Sequence, residues 1–268
     1  MSRLGVRLGE LAEQDRKALV TFITAGDPDT DTTVPALHAL VEGGADVIEL
    51  GVPFSDPEAE GPAIQRSSER ALANGVGLNT CLDMVKEFRK NNASTPLVLM
   101  GYLNSIIAMG ERAFAEAAAE AGVDGLIMVN LPPEEAGPLK SALQDHGLDL
   151  IFLLAPTTTP ERASKIIEQG SGFLYYVTLK GITGADNLDV QAVGERVAQI
   201  KAEARVPVMV GFGIKDAASA RALAVHADGV VVGSTLVNTM AAGEDPQQLL
   251  ADLTAQVADL RAGVDSQP

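Results

Sequence analysis

The chain has no tryptophan, and only three tyrosines and seven phenylalanines. Aromatic packing therefore cannot carry its core. Aliphatic side chains, which dominate a hydrophobic fraction of 46 %, must do so. There is one cysteine, Cys81, so no internal disulfide can form and a reducing compartment is expected. Its neighbours Leu82, Met84 and Val85 put that thiol in an apolar helix rather than at a reactive site. Positive charge is scarce too. Twenty Lys and Arg against 36 Asp and Glu give a formal net charge of −16, which disfavours nucleic acid and anionic membranes, since both need a basic face. Nowhere do about 18 apolar residues follow one another, and the opening MSRLGVRLGELAEQDR lacks the apolar stretch of a signal peptide. A soluble cytoplasmic protein is expected.

What is present is a series of short aliphatic runs: ALVTFITA (18–25), DVIEL (46–50), PLVLMGY (96–102), GLIMVN (125–130), LDLIFLLA (148–155), GFLYYVTL (172–179), VPVMVGF (206–212) and GVVVG (229–233). They are continuous rather than alternating, as strands buried on both faces should be. Helical segments lie between them, among them 133–146, 160–169, 190–203 and 215–225. Thr159-Pro160 and Asp245-Pro246 each set a capping residue before a proline at the first helical position. Leu4, Leu8 and Leu11 share one face of a helix ahead of the first strand, a lid or plug. Eight strands alternating with helices, with no linker or low-complexity segment, point to an α/β fold: a single (β/α)8 TIM barrel with an extra N-terminal helix, residues 1–268 forming one domain. Residues 263–268 read as a disordered tail. The competing architecture, an open doubly wound sheet, lacks its usual early GxGxxG.

In such a barrel the active site lies at the C-terminal ends of the strands, and that rule sorts the candidates. The stretch IELGVPFSDPEAEGPAIQ ends a strand in Glu49 and then places Asp56, Glu58 and Glu60 in alternate positions. A carboxylate among Val47, Ile48 and Leu50 loses hydration, so its pKa should rise toward the range of a general acid or base; the structural alternative is a carboxylate bonded to backbone amides. Thr183-Gly184, Gly211-Phe212-Gly213 and Gly233-Ser234 follow strands six, seven and eight. Glycines there let N–H groups approach an anion closely, and a short helix after strand eight can aim its N-terminus at a phosphate. His38, His146 and His226 sit in or beside helices with no metal-ligand spacing among them.

The residues ELGVPFSDP, GPAIQ, TFITAGDPD, LMGYLN, DGLI, NLPPEE, ITGA, VGFGI and VVVGS resemble, in collinear order from about Arg3 to the last helix, the tryptophan synthase alpha chain family. The resemblance implies a barrel that cleaves indole-3-glycerol phosphate to indole and glyceraldehyde 3-phosphate. Indole then passes to a pyridoxal-phosphate-dependent beta chain, in an alpha2-beta2 tetramer, and no cofactor is expected on this chain. By that resemblance Glu49 is the catalytic glutamate and Glu60 takes the position of the second carboxylate, which holds the indole N–H. Phe22, Met100, Tyr102, Ile127, Tyr175 and Thr183 contact substrate or adjoin the catalytic pair, and Gly184, Gly213, Gly233 and Ser234 grip the phosphate. Asp56 and Pro57 match a loop that faces the beta chain.

The chain also departs from its pattern. PFSDPEAEGP stands where PFSDPLADGP is usual, so Glu58 replaces leucine and Glu60 replaces aspartate; Asn130 replaces aspartate and Ser105 a proline. Two other functions fit the residues. One is a barrel aldolase using Lys180 as a Schiff base. The other is a phosphate-binding regulatory barrel with weak or no lyase activity that activates a beta partner.

Overall fold

The computed structural model describes residues 2–177, 190–211, 213–243 and 245–266. Its eight strands are β1 (Ala18–Thr24), β2 (Val47–Gly51), β3 (Leu97–Gly101), β4 (Gly125–Met128), β5 (Asp149–Leu154), β6 (Leu174–Val177), β7 (Val208–Gly211) and β8 (Gly229–Val232). They pair in parallel, in chain order, and β8 closes on β1 to complete a TIM barrel. The register joins Phe22 to Glu49, Glu49 to Val98, Met100 to Ile127 and Tyr175 to Met209, so these side chains share the inward face of the pleat.

Twelve helices accompany the strands among the described residues. Those of the first half are α1 (Arg3–Glu13), α2 (Thr30–Glu42), α3 (Pro62–Ala73), α4 (Leu78–Arg89), α5 (Leu103–Met109) and α6 (Glu111–Ala121). Those of the second half are α7 (Gly137–Asp145), α8 (Pro160–Gln169), α9 (Val190–Glu203), α10 (Ala217–Ala224), α11 (Ser234–Ala242) and α12 (Pro246–Asp265). None of them is long and apolar enough to cross a membrane. The expected caps form: Thr159 Oγ1 accepts from the Arg162 N–H, and the Asp245 carboxylate from the Gln247 and Gln248 N–H groups.

Two expectations need correction. The segment 133–146 is not one helix. A short 3-10 turn at Pro133–Glu135 precedes α7, because Pro138 has no N–H with which to continue a ladder from upstream. The tail does not begin at Gly263 either. The α12 helix runs to Asp265, with Val264 buried and Arg261 bonded to Asp265 across one turn.

The core has two layers. Outward-facing strand residues such as Leu19, Ile48, Leu99 and Val210 pack against the helices. Inward-facing Val20, Val47, Val98, Ile127, Ile151, Met209 and Val231 fill the barrel, and Leu4, Leu8 and Leu11 of α1 join them from below. The N-terminal helix is thus a plug at the end of the barrel where the strands begin. Charged clamps hold it there. Asp46, immediately before β2, accepts from Arg7 at 2.7 Å and from Arg261 at 2.8 Å. Asp124, immediately before β4, accepts from Arg3 and Arg89, each at 2.8 Å. Each aspartate also exchanges two bonds with the backbone of the preceding strand, Asp46 with Leu19 and Asp124 with Leu97. Asp228 does the same with Val208 before β8.

Candidate active site

Glu49 sits in the middle of β2 with its side chain directed into the barrel above Val47. It is 1 % exposed, and its Oε2 has no hydrogen-bond partner among the described residues. Burial, and secondarily the like charge of Glu60, push its pKa up to about 8. With no cation among the described residues to compensate it, a carboxylate this dry favours its protonated form at neutral pH.

Glu60 lies in the loop between β2 and α3, half-buried, its pKa raised by burial to about 7 against an opposing hydrogen bond from the Tyr102 hydroxyl. Tyr102, at the end of β3, organises this loop. Its oxygen accepts the Ala59 N–H at 3.1 Å, and its ring stacks on Phe54 at 4.8 Å between centroids. Tyr175 of β6 is held in its neutral form, first by burial and then by the charges of Glu49 and Glu60. Glu49, Glu60 and Tyr175 therefore lie within electrostatic reach of one another at the C-terminal end of the strands.

The walls there are fixed by close approaches. Phe22 lies over Gly51, where a Cβ would come within 2.6 Å of its ring, and a side chain at Gly211 would collide with the Tyr175 hydroxyl. Phe22, Met100, Tyr102 and Glu60 line a narrow cleft with Thr24, Phe54, Ile64 and Ser68. Of the residues expected to meet an indole, Phe22, Met100 and Tyr102 border this cleft. Ile127 is wholly buried in the barrel interior, and Tyr175 packs against that interior. Thr24, Phe54 and Ile64 carry no signal of their own in the sequence, although they fall inside the stretches TFITAGDPD, ELGVPFSDP and GPAIQ.

The elements expected to bind an anion lie partly within the described residues. Gly213, after β7, has φ +76° and open space where a side chain would be, and Gly233 and Ser234 begin α11. Thr183, Gly184 and Lys180 lie outside the described residues. Asn130 Oδ1 accepts the Leu103 N–H at 2.8 Å, and its amide nitrogen donates to Asn104. It therefore ties the loop after β4 to the start of α5. Glu58 is exposed. Among the described residues no group of His, Cys, Asp or Glu side chains could hold a metal ion. His38 packs on Phe88, and His226 lies against Gly194 on the outside of the barrel. Cys81 is wholly buried in α4, its thiol pushed up to about 12 by burial.

A family model described as "Tryptophan synthase alpha chain" matches residues 8–265. Curated relatives carrying that description include one from Chromobacterium violaceum, 54 % identical over 264 residues, which cover 98 % of this chain and 100 % of the relative. Another, from Burkholderia pseudomallei, is 55 % identical over 265 residues, 99 % of this chain and 97 % of the relative. Among solved structures, tryptophan synthase subunit alpha from Legionella pneumophila superposes with a TM-score of 0.91 at 45 % identity, covering 99 % of both chains. Tryptophan synthase from M. tuberculosis in an aminoacrylate-bound form matches with a TM-score of 0.88 at 39 % identity, covering 98 % of this chain and 100 % of that one.

Proposed function

The chain belongs to the tryptophan synthase alpha chain family, a lyase subunit of tryptophan biosynthesis, and from that premise we propose that it cleaves indole-3-glycerol phosphate to indole and glyceraldehyde 3-phosphate. The observation that carries the reading is the dry carboxyl of Glu49 inside the mouth of the barrel, with a pKa of about 8 and an oxygen unpartnered among the described residues.

Retro-aldol cleavage requires a proton on the indole carbon that becomes the leaving group, and removal of a proton from the neighbouring hydroxyl of the glycerol chain. Glu49, protonated at rest, gives its proton to the ring carbon. The resulting carboxylate takes the hydroxyl proton as the carbonyl forms, and the bonding pair of the broken C–C bond returns to the ring. Glu49 thus ends in the state in which it began. Glu60, ionised, accepts the indole N–H as positive charge develops on the ring, with Tyr102 holding its loop. Phe22, Met100, Ile127, Tyr175 and Thr183 surround the substrate. Main-chain amides at Gly184, Gly213, Gly233 and Ser234 take the phosphate.

The partner is a tryptophan synthase beta chain, in an alpha2-beta2 assembly in the cytoplasm. Pyridoxal phosphate resides on the beta chain, and this chain carries no cofactor. Asp56 and Pro57 in the loop after β2, with the 61 % exposed Ile107 of α5, offer a docking face beside the active site. The regulatory alternative is not favoured, because the curated relatives are described as tryptophan synthase alpha chains.

The test is indole release from indole-3-glycerol phosphate by the parent and by Glu49→Gln, each alone and with a beta chain. The variant should lose at least about a hundredfold in rate while still binding glycerol phosphate. Retention of more than about a tenth of the activity would remove Glu49 from the role.

A further inference from the structure

A second cavity, of about 370 Å³, opens at the opposite end of the barrel, between the C-terminal turn of α1, the segment leading into β1, and the end of α9 with the turn into β7. Its volume is that of a small-molecule site, and its charge runs against the rest of the molecule. In a chain of net charge −16, this cavity gathers Arg16, Lys17, Lys201 and Arg205 against only Asp15 and Asp228. Asp228 is taken by Lys201 at 2.6 Å and by the Val208 N–H, and Arg16 pairs with Asp265 outside the cavity. Lys17 and Arg205 are left without an ion pair among the described residues. Between these cations the apolar lining open to solvent is Ala12, Ala204, Val206 and Pro207, lying over the buried Leu8, Leu11 and Met209.

We propose that this cavity binds a small organic anion of the phosphate monoester class, its anionic head between Lys17 and Arg205 and its apolar body on the floor formed by Ala204, Val206 and Pro207, directly above the methyls of Leu8, Leu11 and Met209. Two unpaired cations match a dianionic head, and a bare inorganic ion would leave the floor unused. The acidic remainder of the molecule opposes entry only weakly, since charges farther than a Debye length of about 8 Å are screened at physiological ionic strength. Asp15 and the C-terminal end of the α9 dipole act against the anion locally, which sets the affinity below that of a fully cationic site. The cavity shares no residue with the cleft at the barrel mouth, so its occupant is additional to the substrate of the proposed lyase reaction.

Methyl NMR of the full chain titrated with phenyl phosphate tests this, because both ends of the barrel report in one experiment. The methyl signals of Leu8, Leu11 and Met209 should shift with a saturable midpoint. In Lys17→Gln/Arg205→Gln that midpoint should weaken at least about tenfold, each lost pairing being a charge-assisted contact. The signals of Met100 and Ile64 at the mouth should behave alike in both proteins, which certifies the fold of the variant. The proposal is overturned if the lower methyls stay still into the millimolar range, or if the double variant keeps the parent midpoint. It is overturned equally if neutral benzyl alcohol moves those methyls with the same midpoint as phenyl phosphate, or if inorganic phosphate alone does.

Discussion

Glu49 has given up nearly all its water and gained no cation among the described residues in return, and its partner Glu60 is of like sign. The two titrate as a pair, in steps between about pH 7 and 8, and those steps belong to the pair. If catalysis needs Glu60 ionised and Glu49 protonated, kcat/KM for indole release should fall below about pH 7 as Glu60 gains a proton, and above about pH 8 as Glu49 loses one. A narrow bell over neutral pH is the expected profile. Glu60→Asp draws the second charge back by one carbon–carbon bond, about 1.5 Å, so the alkaline limb should move to lower pH. A flat profile from pH 6 to 9 would contradict the assignment. Stability is linked to the same group. A carboxyl raised from 4.5 to about 8 on folding contributes fully below the unfolded value and loses that contribution as pH climbs through the folded one. The parent should therefore weaken between about pH 5 and 9 by a few kcal/mol, each tenfold change in proton affinity being worth roughly 1.4 kcal/mol. In Glu49→Gln, urea unfolding at each pH should show a flatter dependence, whatever constant offset the amide introduces.

Among the elements, the clamps under α1 carry more weight than their surface counterparts. Asp46 is buried and serves Arg7, Arg261 and the Leu19 N–H together. Removing it in Asp46→Ala leaves the buried Leu19 N–H unpaired and takes one partner each from Arg7 and Arg261, and should cost about 3 kcal/mol, a fall in Tm of roughly 6–12 °C for a chain of this size. Glu10→Ala breaks only the exposed Arg7–Glu10 pair and should cost under about 0.5 kcal/mol. Calorimetry on the two variants separates these cases, and equal losses would deny the clamp its role. These clamps are also the least legible part of the sequence. The strands announce themselves as aliphatic runs because both of their faces are buried, and α8 and α9 have the bounds 160–169 and 190–203, the first marked by the Thr159 cap and both by apolar spacing. The partners of Asp46 lie 27, 39 and 215 residues away, and no local periodicity encodes them. From residue pattern alone the acidic pair at the mouth is visible only as Glu49 in an aliphatic run and Glu60 in the loop after it, and the resemblance is what joins the two. That Glu60 and Tyr102 meet through the loop at Ala59 follows from how β2 and β3 pair, which spacing alone does not express.

At the scale of the whole molecule the two ends of the barrel are specialised. Loops that carry the candidate chemistry gather where the strands end, and a plug with its charged clamps closes the end where they begin. Burying Leu4, Leu8 and Leu11 contributes on the order of 1.5–3 kcal/mol each, a sum comparable with the total stability of an ordinary domain, about 5–15 kcal/mol. A chain lacking residues 1–13 should therefore expose the lower barrel and bind a hydrophobic dye at 37 °C, and a truncated chain with the parent's Tm would show that the plug is dispensable.

The chain's one thiol, Cys81, is sealed inside α4 with its ionisation displaced to about 12, so in the folded protein it has almost no thiolate with which to attack an electrophile. The native chain is consequently silent toward maleimide reagents without any engineered cysteine removal. A single Ile107→Cys substitution, at a position 61 % open to solvent, would take up one fluorophore at one known place. The emission of that fluorophore would then follow the approach of a partner to the mouth of the barrel in real time.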